Sequence, residues 1–78
     1  MWWYLVKEKD EGNIVIYNYG RETKVLSGKI MFDRGTGDFQ CLKLADNDSN
    51  FEYEYLLPHV YRIIINENAP YEKQIAIG

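Results

Sequence analysis

Clusters of glycine, asparagine and aspartate cut the first half of this chain into short apolar runs, and that punctuation constrains the fold more than any other feature. Runs so short and so evenly spaced suit strands joined by tight turns. Trp2 to Lys9 is aromatic and β-branched, Asp10-Glu11-Gly12-Asn13 is a polar turn with a glycine, and Asn13 to Tyr19 resumes with Ile14, Val15, Ile16 and Tyr17. Together they form a hairpin. After Gly20-Arg21-Glu22, the run Thr23 to Asp33 sets Leu26, Gly28, Ile30 and Phe32 on one face and Val25, Ser27, Lys29 and Met31 on the other. Gly28, in the middle of that run, permits a bulge or bend where one strand serves two sheets. Arg34-Gly35-Thr36-Gly37 is a tight turn, and Asp38 to Leu44 is the returning strand.

Beyond the loop Ala45 to Asn50, Phe51, Tyr53, Tyr55 and Leu57 alternate with Glu52 and Glu54. This alternation predicts a strand with the aromatics in the core and the glutamates in solvent. Pro58 interrupts it, Tyr61 to Asn66 resumes with Ile63-Ile64-Ile65, and a turn ending in Pro70 leads to a last strand, Tyr71 to Ile77. A helix opening at Pro58, with Val60, Ile63, Ile64 and Glu67 along one side, is the competing assignment. Three consecutive β-branched residues favour the strand. A strand, a one-turn 3₁₀ break at Pro58-His59-Val60 and a further strand make Lys24 to Asn66 resemble the end of an SH3-like barrel. The expectation is therefore a single domain over residues 1–78. It is all-β, or β-rich with one short helix or 3₁₀ turn near residues 58–66, built as a small SH3-like barrel with an N-terminal hairpin.

The remaining sequence features exclude more than they assign. With 46% hydrophobic, 15% aromatic and 27% charged residues the chain is too apolar for disorder. No apolar run approaches the roughly 18 residues that span a bilayer. The opening residues lack the basic region of a secretory signal, and the one cysteine, Cys41, excludes an internal disulfide; both point to the cytoplasm. The net charge of −3 is unevenly divided, with seven basic against six acidic residues in 1–44 and two against six in 45–78. A phosphate-backbone binder needs a basic stripe, and none is present, so nucleic acid is disfavoured as a partner.

No motif carries chemistry. Asp46-Asn47-Asp48-Ser49-Asn50 begins like a calcium loop, but Phe51 stands where that loop needs glycine and Leu57 where it needs a bidentate glutamate. Cys41 and His59 have no local context of a nucleophile and its base, and Glu52 and Glu54 share the outer face of one expected strand, open to solvent, without the burial a catalytic acid needs. The turn Asp33 to Asp38 lacks the Lys-Ser/Thr ending of a phosphate loop. No catalytic, cofactor-binding or metal-binding residue is expected, and the chain is not read as an enzyme.

What stands out is the aromatic hairpin, in which Trp2, Tyr4 and Val6 alternate with Trp3 and Leu5, and Ile14 and Ile16 with Val15, Tyr17 and Tyr19. Both of its faces are apolar, and a small monomer rarely exposes a large aromatic patch. The functional expectation is a non-catalytic module that binds another protein through Trp3, Tyr17 and Tyr19, with an acidic rim from Glu52 and Glu54. The alternative is single-stranded nucleic acid stacked on Trp3, Tyr17 or Tyr19, with Lys7, Lys9, Arg21 and Lys24 along the backbone. The last strand is expected to pair, either with Trp2 to Lys9 within the chain or with a second chain, which would give a homodimer through the C-terminal or N-terminal strand.

Overall fold

A computed structural model describes residues 1–77. The first four runs form a meander of strands Trp2–Glu11 (β1), Ile14–Arg21 (β2), Gly28–Asp33 (β3) and Asp38–Lys43 (β4). The helix Asn50–Asn66 (α1) then crosses one face, and the strand Glu72–Ala76 (β5) returns to the far edge. The sheet is antiparallel with order β4-β3-β2-β1-β5.

The hairpins form where their turn residues stand. Gly12 takes a left-handed backbone between β1 and β2, as tight two-residue connections demand. Asp33 caps the next turn by accepting the amide N–H groups of Gly35 and Thr36. The last strand pairs within the chain, with Trp2 opposite Ala76 and Leu5 opposite Lys73. Both sides of β1 are thereby occupied, so the N-terminal strand offers no edge for a second chain.

Two expectations are corrected. The sheet does not close into a barrel: β4 and β5 remain its two edges, so the SH3-like arrangement is not what forms. The cause is the second correction, because Phe51–Leu57 and Tyr61–Asn66 are not two strands but parts of one 17-residue helix that contains Pro58. Its start is encoded locally. The Ser49 hydroxyl is the N-cap, accepting the Glu52 amide N–H and lying within hydrogen-bonding distance of the Glu52 carboxylate, while the Ser49 amide donates to Asp48. Tyr53, Leu56, Val60, Ile63 and Ile64 then fall on one helical face and are buried. The same geometry turns Phe51 and Tyr55 outward, at 69% and 51% exposure, where alternation had assigned them to the core.

The helix covers the face carrying Trp3, Leu5, Val15, Tyr17, Tyr19, Ile30, Phe32 and Ile75. Tyr53 packs on Tyr19 and Tyr61 meets Phe32 edge-on, so α1 lies over the inner strands. Gly28 is no bend. It opens β3, and the fully buried ring of Tyr19 lies where its β carbon would be, so glycine is required by packing.

Candidate interaction surfaces

Trp3, Tyr17 and Tyr19 lie beneath α1 with at most 1% of their surface exposed. In the folded chain they are core contacts and present nothing to a partner or to a stacked base. The cations named beside them are also engaged. Lys7 pairs with Asp10 and donates to the Ala69 carbonyl, Lys9 pairs with Glu11, and Lys24 sits 5.2 Å above the Tyr4 ring. Of the two rim glutamates, Glu54 is exposed while Glu52 is tied down by Arg21.

Arg21 is the centre of a polar cluster that the sequence reading did not identify. It is 6% exposed, and its Nη2 lies 2.5 Å from Glu52 Oε2 and 3.5 Å from Glu22, while Nη1 lies 3.4 Å from Asp48 Oδ1. Its guanidinium also stacks 5.3 Å from the Trp3 ring. The Asp48 side chain is fully buried and accepts hydrogen bonds from Trp3 Nε1, the Tyr19 hydroxyl and the Ser49 amide. The Tyr19 hydroxyl in turn accepts the Ala45 amide N–H. A buried charge needs such partners, and here they join the start of the helix to β1 and β2. The local signal was the sequence Asp48-Ser49-x-x-Glu52, read as loop and strand when it is a helix start.

Three carboxylates are held below their usual range: Glu52 by Arg21, Asp10 by Arg34, and Glu8 by Lys29 and then Asn18. Each therefore adds stability that is complete above the unfolded-state pKa of about 4 and is lost as pH falls through the lower folded value. The melting temperature is expected to drop progressively below about pH 4, and thermal melts across the acid range check it. At the other end, burial pushes Tyr17 up to about 12. The neutral phenol is the folded form, so this contribution holds below about pH 10 and is lost as pH rises towards 12.

Burial raises the Cys41 thiol, which lies against Tyr53 and makes no hydrogen bond to His59. Among the described residues no cluster of histidine, cysteine, aspartate or glutamate is arranged to hold a metal, and no helix is long and apolar enough to cross a membrane.

Two apolar surfaces remain outside the core. One is the solvent side of α1, where Phe51 and Tyr55 meet edge-to-face at 5.2 Å and Pro58 and Ile65 continue the stripe. The other is the face of the sheet opposite the helix. Trp2, Tyr4 and Val6 of β1, Ile14 and Ile16 of β2 and Met31 of β3 stand there, partly exposed, and the loop between β2 and β3 reaches over the Tyr4–Gly20 corner, where Lys24 lies above the Tyr4 ring and the Thr23 and Val25 carbonyls crowd Gly20. At the β3–β4 end of that face, Asn18, Leu26, Ser27, Gly28, Lys29, Leu42 and Lys43 line an open depression of about 410 Å³. Comparison with protein-family models, with curated proteins and with solved structures finds no match to this chain.

Proposed function

We propose that the chain is a non-catalytic protein-interaction module whose partner surface is the outer side of α1, centred on Phe51 and Tyr55 with Glu54 beside them. The observation that supports it is the exposure of two large aromatic rings, locked against one another on the side of the helix away from the core. Water gains nothing from this arrangement, whereas a preformed aromatic pair gives a partner large contact area at small entropic cost. The aromatic patch and acidic neighbour expected from sequence are thus retained in kind and moved to different residues, since Trp3, Tyr17 and Tyr19 are internal and Glu52 is committed to Arg21.

The test is an affinity capture from the native host with three immobilised chains: wild type, Phe51→Ser/Tyr55→Ser, and Met31→Glu. Circular dichroism should show all three folded, because every substituted side chain lies outside the core. Proteins retained by wild type and Met31→Glu but released by the helix double variant support the reading. Equal retention by all three, or none by any, overturns it.

A further inference from the structure

The charges of the open sheet face are arranged in a way that a single chain does not explain. In the register of β3 and β4, Lys29 stands opposite Lys43 at one end and Asp33 opposite Asp38 at the other. Like charges directly opposite one another on a sheet are unfavourable. Both pairs lie on the face away from α1: Lys29, Asp33 and Asp38 alternate with the core-facing Ile30, Phe32 and Phe39, and a register irregularity beside Lys29 sets Lys43 opposite it, where the two lysines line the same depression as Asn18. Glu8 offsets Lys29 from a partly exposed position, but Lys43, Asp33 and Asp38 form no ion pair among the described residues. Asp33 is otherwise occupied only with the amide groups of its own turn.

Between the two charged ends lies the apolar row Ile16 and Met31, with Gln40 beyond. Lys29 and Asp33 are each two residues from Met31, so the basic and acidic ends are separated by about 13 Å with Met31 midway. We infer that this face is closed by a second copy of the chain, packed sheet on sheet about a two-fold axis that crosses the strands at Met31. Such an axis reverses strand direction while leaving β3 over β3 and β4 over β4. Lys29 then faces Asp33 of the second copy, Lys43 faces its Asp38, and Met31 meets Met31. The basic depression of about 410 Å³ receives the acidic end of the other sheet. Each like-charge pair gains its opposite, and the apolar row leaves water. The dimer differs from strand addition, because it uses a sheet face and leaves both edges and the outer side of α1 free.

The experiment is sedimentation of the full chain at submillimolar concentration. Wild type is expected at twice the 9.2 kDa of the chain, and Met31→Glu at 9.2 kDa. Lys43→Glu and Asp38→Lys, both on exposed positions, should each be monomeric alone, because each sets like charges against like across the axis twice. Mixing the two should restore a dimer, since in the mixed pair both contacts become opposite-charged. A monomeric wild type, a dimer that survives Met31→Glu, or a mixture that stays monomeric would overturn the inference. None of these outcomes bears on the helix surface, whose test reads retention on Phe51 and Tyr55.

Discussion

Trp3→Ala is expected to cost about 3–5 kcal/mol of folding stability, the range for removing a fully buried tryptophan. Domains of this length have about 4–12 kcal/mol in total, so the substitution removes from about a quarter to all of it. The ring fills the centre of the layer between sheet and helix at 0% exposure, donates to Asp48 and carries the Arg21 guanidinium. Its truncation therefore leaves a cavity and removes a donor from a buried carboxylate at the same time. Trp2→Ala, one residue away on the open face, is expected to cost about 1 kcal/mol or less, as surface substitutions away from special features do. Urea unfolding of the two variants decides the matter. If Trp3→Ala keeps its stability within about 1 kcal/mol of wild type, the tryptophan is not the core residue described.

Arg21→Met should be nearly as damaging, by about 3–5 kcal/mol, because it strands Asp48 as a buried charge without a counter-charge. The methionine replaces much of the packing, so the loss reports charge more than volume. Pairing it with Asp48→Asn removes the stranded charge, and the double variant should be more stable than Arg21→Met alone. A double-mutant cycle from denaturant melts gives the coupling between the two sites. Simple additivity would mean that Arg21 and Asp48 do not act as a unit, contrary to their geometry.

The hairpins, their turns and the strand order of the meander were legible in the sequence because each depends on neighbours. Gly12 and the Asp33 turn are local chemistry, and alternation assigns Ile30 and Phe32 to one face and Lys29 and Met31 to the other wherever they pair. The segment from Phe51 to Asn66 was not legible by the same means. Its apolar residues satisfy a period of two up to Leu57 and a period of 3.6 throughout, Pro58 and three isoleucines weigh against a helix, and only Ser49 with Glu52 marked where one begins. What decided it was tertiary: the sheet has an apolar face that must be covered, and a helix crossing it buries Tyr53, Leu56, Val60, Ile63 and Ile64 together.

That one choice also settled which side of the aromatic hairpin became core. The sequence by itself determined that the hairpin has two apolar faces, Trp3, Leu5, Tyr17 and Tyr19 on one and Trp2, Tyr4, Val6 and Ile16 on the other. Strand periodicity separates the faces but is silent on which the rest of the chain will cover. The Arg21, Asp48 and Glu52 cluster commits the helix to the first face, because only there do the buried charge, its donors and the helix start meet. Tertiary structure thereby turned Trp3, Tyr17 and Tyr19 into core. It left the open sheet face and the outer side of the helix each presenting apolar side chains to water.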